Sequence, residues 1–113
     1  MKKNILIIGA NKGLGKNILN LYLSKNYNVF FSSRVKKHKD KKHIFLDLLK
    51  LKNLEKIEFP KLKFSHILFI AALTPNYNKR LEKNSYFGNL SEEEFIKYNK
   101  INCFAPIKIF EHL

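Results

Sequence analysis

The sequence has a single cysteine and no long apolar run, and each absence narrows what the protein can be. One cysteine, Cys103, excludes a disulfide within the chain and favours a reducing, cytoplasmic location. No stretch approaches the roughly 18 consecutive apolar residues of a membrane span. The apolar run near the first residue is also shorter than the roughly 7–15 residues of a secretory signal. We therefore expect a cytoplasmic protein without a membrane segment.

Acidic residues are also scarce. Nine of them face 22 lysines and arginines, which gives a formal net charge of +13. Such a charge can indicate binding to nucleic acid or another anionic surface. However, the lysines are spread along the chain, and only residues 36–43 (K-K-H-K-D-K-K-H) form a dense cluster, which we interpret as a solvated loop. We therefore do not expect nucleic acid to be the principal partner.

Glycine is rare but concentrated in one place. Three of the four glycines, Gly9, Gly13 and Gly15, lie in the stretch I-L-I-I-G-A-N-K-G-L-G-K over residues 5–16. An apolar strand there runs through a glycine turn into a helical pattern. Glycine accepts positive φ and lets a backbone or a phosphate approach closely, and the start of a helix attracts anions. The stretch therefore predicts a phosphate or pyrophosphate site.

The hydrophobic pattern predicts alternating strands and helices along the chain. We expect strands at residues 4–8, 29–31, 43–46 and 67–71, and helices at residues 14–25, at 51–57 and from 91 to 113. A capping box formed by Ser91 and Glu94 opens the last helix. The alternation predicts one α/β domain, a Rossmann-like three-layer parallel sheet of strand order 3-2-1-4 that stops before a fifth strand. Its crevice would lie at the carboxyl ends of strands one and four.

The first helix should pack through one apolar stripe. Leu14, Ile18, Leu21 and Tyr22 recur at spacings of three and four residues, which is typical of a helix that buries one face. We therefore expect these four side chains to face the sheet.

The glycine spacing is G-x-x-x-G-x-G, which is neither the P-loop spacing nor G-x-G-x-x-G. It resembles the cofactor loop of the short-chain dehydrogenase/reductase (SDR) family, and residues 9–15 (G-A-N-K-G-L-G) correspond to that loop residue by residue. The resemblance implies that residues 1–113 are the N-terminal part of a single NAD(P)-binding Rossmann domain. It also implies that the loop binds the cofactor through Gly9, Asn11, Lys12, Gly13, Leu14 and Gly15.

Two basic residues predict which cofactor is bound. Arg34 follows strand two directly, where a dinucleotide fold faces the adenosine ribose and an arginine accommodates a 2′-phosphate. Lys12 can reach the same phosphate, and Ser33 can add a hydrogen bond. In an SDR-like chain this combination implies NADP(H) rather than NAD(H). The alternative for Arg34 is a solvated loop charge.

Residues after strands three and four complete the predicted cofactor site. The resemblance implies that Asp47 bonds the adenine amino group and that Leu48 packs near the ring, although Asp47 can equally cap the following turn. Ala71 and Ala72 are small enough to let a cofactor lie against strand four. This alanine pair is more similar to the sugar-nucleotide epimerases and dehydratases of the family than to its reductases, whereas the glycine spacing opposes that subgroup.

The last helix contains Asn102 and, four residues later, Pro106. A proline has no N–H and clashes with the carbonyl four residues back, so the pair predicts a kinked helix in which the Asn102 carbonyl tilts outward. The segment I-N-C-F-A-P resembles the family's fourth helix, whose catalytic asparagine holds a water in a proton relay. The alternative is a proline kink with an incidental asparagine.

The family's catalytic Tyr-x-x-x-Lys does not occur in these 113 residues. We therefore expect an N-terminal fragment of an SDR-type oxidoreductase, one that acts on a small carbonyl or alcohol when intact and is inactive alone. The alternatives are an epimerase or dehydratase of the same family and a non-catalytic nucleotide-binding remnant. We also expect self-association into a homo-oligomer through the apolar last helix.

Overall fold

The computed structural model of the chain describes residues 2–50, 57–72 and 91–113. Its elements, in chain order, are β1 (Asn4–Ile8), α1 (Gly13–Ser24), β2 (Asn28–Ser33), β3 (His43–Phe45), β4 (His66–Phe69), α2 (Glu92–Asn99), a π-helical segment (Lys100–Phe104) and α3 (Ala105–His112). The predicted loop at 74–90 and nearly all of the predicted helix at 51–57 lie outside the described residues. Among the described residues, no helix is both long enough and apolar enough to cross a membrane.

The four strands form one parallel sheet in the order β3-β2-β1-β4, as predicted. Helices cover both of its faces, an arrangement compatible with a Rossmann-like α/β fold. On one face Ile5 and Ile7 pack with Leu19 of α1. On the other face Leu6 and Ile8 pack with Ile109 of α3. This double burial explains why β1 is a continuous apolar run rather than an alternating one.

Strand bounds differ from the prediction by one or two residues: β2 and β4 each begin one residue early, and β3 ends one residue early, at Phe45. The carboxyl ends of β2 and β4 differ most, and hydrogen bonds explain both. β2 continues beyond Phe31 to Ser33 because its polar end is still paired: Ala10 N–H donates to the Ser32 carbonyl and Leu46 N–H to the Ser33 carbonyl. β4 ends at Phe69, before the predicted end at residue 71. The next two N–H groups both donate to the Ile8 carbonyl, so the regular ladder stops there.

The predicted apolar stripe of α1 is wrong at two of its four positions. Leu14 and Leu21 are 67% and 50% exposed. The helix instead faces the sheet through Gly15 and Leu19, which are buried, with Ile18 and Tyr22 packed beside them. Its first turn lies so close to β1 that only glycine fits at the contact, and this rotates the buried face by one residue.

The helix that opens at the Ser91 cap is interrupted where the proline predicts a disturbance. Ser91 Oγ accepts the Glu94 N–H at 3.1 Å, as the predicted capping box requires. From Lys100 to Phe104 the backbone is π-helical, and Ala105 N–H donates to the Lys100 carbonyl five residues back. The π-helical segment ends two residues before Pro106, whose missing N–H breaks the α-helical pairing. The predicted distortion is therefore a widened turn.

Candidate functional site

The glycine loop connects β1 to α1 by unusually close backbone contacts. Gly9 has φ +93°, and a Cβ added there would lie 2.7 Å from the Cβ of Ala71. A Cβ on Gly15 would lie 1.9 Å from the Gly9 carbonyl oxygen. Gly13 has φ +62° but open space around it. Positive φ favours glycine at Gly9 and Gly13, and close approach of neighbouring atoms requires glycine at Gly9 and Gly15.

The start of α1 is left available to an anion. Lys12 occupies the N-cap position in an extended conformation and makes no side-chain cap hydrogen bond. The first turn contains no acidic residue. The first N–H groups of a helix have no partner within it and carry the positive end of its dipole. A negatively charged ligand is therefore the group that this end of α1 is suited to bind.

Ser32, which the sequence reasoning did not identify, holds the loop in place from the neighbouring strand. Its Oγ accepts the Gly9 N–H at 3.1 Å, and its carbonyl accepts the Ala10 N–H at 2.9 Å. The side chain is almost fully buried. A serine directly after the apolar residues Val29–Phe31 is the signal that could have indicated this role, because a buried hydroxyl needs a partner.

A cleft of about 450 Å³ opens at the carboxyl ends of the strands, beside the glycine loop. It brings together eleven of the predicted residues: Gly9, Asn11, Lys12, Leu14, Gly15, Ser33, Arg34, Asp47, Leu48, Ala71 and Ala72. Its volume lies in the range of small-molecule and cofactor sites. The predicted residues Gly13 and Asn102 are not among those that line it. Six lining residues were not predicted: Ser32, Leu46, Leu49, Ile70, Lys97 and Ile101.

The charge of the cleft is predominantly positive. Among the described residues that line it, Lys12, Arg34 and Lys97 contribute three cations, and Asp47 contributes one carboxylate. Arg34 and Lys12 are exposed, and within the described parts of the chain neither forms an ion pair. A phosphate in the cleft would therefore meet cations that are not already neutralised. Lys97 comes from α2, more than sixty residues away from Arg34, and only the fold brings it here.

The side chain of Asp47 is already engaged in a turn. Its Oδ1 accepts the Leu49 N–H at 3.0 Å, and its carbonyl accepts the Lys50 N–H at 3.0 Å. These bonds are those of an aspartate that caps the turn after a strand. Asp47 therefore caps the turn, as the alternative interpretation predicted, while adenine binding by Asp47 stays a prediction.

Ser33 belongs to a polar cluster that continues away from the cleft. Its Oγ accepts the Val35 N–H at 3.2 Å and lies 2.6 Å from His43 Nε2. The ring of His43 stacks on that of His38 at 4.4 Å with an interplanar angle of 15°. Burial, followed by the nearby His38, lowers the pKa of His43, whereas Asp40 acts in the opposite direction. His43 is therefore predominantly neutral at neutral pH.

Asn102 lies within the π-helical segment, next to Ile101, which lines the cleft. The structure thus places it near the mouth of the site, on an exposed part of the helix. A widened turn is a feature often found at functional positions. Its part in a proton relay stays a prediction.

No protein-family model, curated protein or solved structure matches this chain significantly. The site is therefore defined by its own geometry. It is a basic, glycine-walled cleft at the carboxyl edge of a parallel sheet, next to the uncapped start of a helix.

Proposed function

We propose that this chain binds NADP(H) in the cleft and forms the cofactor-binding part of an SDR-type oxidoreductase. Such an enzyme transfers a hydride between NADP(H) and a small carbonyl or alcohol. The observation that supports the proposal best is the convergence of the glycine loop, Arg34 and the end of β4 on one cleft. These are the contacts that a dinucleotide needs at its pyrophosphate, at its ribose and along its length.

The proposed placement of the cofactor follows from the chemistry of each wall. The pyrophosphate belongs at the start of α1, where N–H groups and the helix dipole favour an anion. Gly9 and Gly15 allow the end of β1 and the first turn of α1 to pack closely together, which positions these N–H groups. The 2′-phosphate belongs beside Arg34 at the end of β2, in the cleft that Lys12 also lines. A guanidinium binds a phosphate through paired hydrogen bonds.

The bound cofactor would supply hydride chemistry, but the proposed active site needs more than this chain contains. The 113 residues include no Tyr-x-x-x-Lys to donate the proton. We therefore expect cofactor binding without turnover. Asn102, beside the cleft wall at Ile101, is the residue to which we assign support of a proton relay. The single cysteine favours a cytoplasmic setting for this chemistry.

Comparative titration with NADPH and NADH tests the proposal. We expect NADPH to bind at least about tenfold more tightly, because a charge-assisted contact to the 2′-phosphate contributes about 1.5–3 kcal/mol. Cofactor fluorescence on binding gives the readout. Equal affinities, or tighter binding of NADH, would remove the roles given to Lys12 and Arg34. Oxidation of NADPH with a carbonyl substrate at an ordinary rate would contradict the expected lack of turnover.

A non-catalytic nucleotide-binding protein that self-associates is the second candidate. The observation that favours it is the exposed apolar surface near the end of the chain, where Phe104, Ile107 and Phe110 are each about half exposed. Such a surface is typical of a protein–protein contact. In this case the cofactor would stabilise a complex rather than react.

A further inference from the structure

Ser33 is the polar side chain that lies next to Arg34 in the sequence and lines the same cleft. It is almost fully buried, and its Oγ has two partners on the side of β3: the Val35 N–H at 3.2 Å and His43 Nε2 at 2.6 Å. A serine hydroxyl has one hydrogen and two lone pairs. One lone pair is occupied by Val35, so the direction of the hydroxyl hydrogen depends on His43.

The tautomer and the protonation state of His43 decide that direction. When Nε2 carries no hydrogen, it accepts the Ser33 O–H and holds the hydroxyl hydrogen against the ring. An imidazolium has hydrogens on both nitrogens and can only donate. It therefore occupies the second lone pair of Ser33 Oγ and turns the hydroxyl hydrogen toward another acceptor. In the cleft beside Arg34, that acceptor would be an oxygen of the ligand.

We propose that His43 is a positioning residue for the phosphate subsite, and that its protonation turns the Ser33 hydroxyl toward the 2′-phosphate of NADP(H). This inference rests on the function proposed above and deepens it. Binding of the phosphate by Ser33 and Arg34 is coupled to the uptake of one proton by His43. By reciprocity, protonation of His43 tightens phosphate binding. NAD(H), which has a neutral hydroxyl at this place, lacks the charge that would stabilise the imidazolium.

The surroundings of His43 keep it neutral until such a ligand arrives. His38 stacks on its ring and disfavours a positive charge on His43, and Phe31 packs edge-on against both rings. Asp40, the carboxylate that acts on His43, already accepts the Lys42 N–H. The ammonium of Lys42 is bound to Asn28 Oδ1. Together these surroundings lower the pKa of His43 in the ligand-free chain, and a bound anion would raise it.

The chain contains a matched control for His43. His66 is the first residue of β4, as His43 is of β3, and its Nδ1 lies 3.1 Å from a serine hydroxyl, that of Ser65. It does not line the cleft. A glutamine at either position keeps a hydrogen-bonding group and removes the titration.

The test measures NADP⁺ and NAD⁺ affinities of the 113-residue chain at about pH 5.5 and about pH 7.5, which bracket the histidine titration. At the lower pH we expect the wild type to bind NADP⁺ about fivefold more tightly than His43→Gln, and at the higher pH we expect the ratio to approach one. His66→Gln should follow the wild type, and NAD⁺ should show no such difference. Titration of the 2′-phosphate itself occurs with every variant and cancels in the ratio.

Each other result overturns the inference. Equal pH profiles of the wild type and His43→Gln for NADP⁺ would reject it and leave the proposed function standing. The same His43 dependence with NAD⁺ would reject the assignment to the phosphate. Absence of NADP⁺ binding would reject both proposals. If His43→Gln does not fold, proton NMR of the wild type decides: saturation with NADP⁺ must raise the pKa of His43 and leave that of His66 in place.

Discussion

The Gly15 backbone lies so close to the Gly9 carbonyl that a Cβ on residue 15 would come within 1.9 Å of the oxygen. The contact joins the first turn of α1 to the end of β1. It also fixes where the unpaired N–H groups of the helix face the cleft. The geometry of the proposed phosphate site thus depends on the absence of one methyl group.

Substitution of Gly15 by alanine should destabilise the protein, although alanine is the better helix former. Helix propensity alone would favour Gly15→Ala by about 1 kcal/mol, whereas overpacking of a fixed contact costs about 1–3 kcal/mol or more. We expect a net loss in the free energy of unfolding, measured by urea denaturation. Gly13→Ala is the comparison, because Gly13 has positive φ but open space, so that its cost of about 1–2 kcal/mol comes from backbone strain without a steric contact. A stabilised Gly15→Ala would show that the contact relaxes.

Removal of the Arg34 guanidinium should change cofactor preference rather than stability. Arg34→Ala is expected to weaken NADPH binding about 10- to 100-fold and to leave NADH binding nearly unchanged, because only the 2′-phosphate uses the guanidinium. Fluorescence titration of both cofactors gives the ratio. Lys36→Ala is the matched control: Lys36 is an exposed cation two residues further on that does not line the cleft. Equal losses for both cofactors would place Arg34 outside the phosphate subsite.

Acidification should destabilise the fold through His43. Its pKa is lowered in the folded chain by burial and by His38, so the unfolded chain takes up the proton first as the pH falls. The unfolded state then binds more protons than the folded state. The free energy of unfolding must therefore decrease as the pH falls below the ordinary histidine pKa of about 6.5. Thermal melts across this range should show a smaller loss for His43→Gln than for the wild type or His66→Gln. Parallel curves for all three would remove His43 from the acid response.

Self-association through the last helix should depend on its exposed apolar face. Phe104→Glu is expected to convert an oligomer of the wild type into a monomer, because a buried, unpaired carboxylate would cost several kcal/mol at a contact. Sedimentation velocity gives the readout. Leu21→Glu on α1 is the matched control, since Leu21 and Phe104 are both 50% exposed. A wild-type chain that is monomeric at high concentration would exclude this surface as an interface.

Much of the fold follows from the sequence because the patterns that specify it are local. A continuous apolar run predicts a strand buried on both faces, and the glycine spacing places the turn after it at Gly9. Strand order also follows, since alternating elements joined by short crossovers allow few arrangements. The buried face of α1 was harder to predict from the sequence, because Leu14 and Leu21 fit the helical period as well as Gly15 and Leu19 do. Only the contact between Gly15 and the Gly9 carbonyl distinguishes the two faces.

The sequence by itself therefore determined the order of the elements, the parallel sheet and the position of a glycine loop before a helix. The tertiary structure decided which polar groups meet. Ser32 contacts the Gly9 N–H across 23 residues of chain, and Ser33 contacts His43 across 10. Lys97 reaches the same cleft from a distant helix. Such pairings depend on strand register and on helix packing. The periodicity of residues within one element cannot predict them, because the side chains involved belong to different elements.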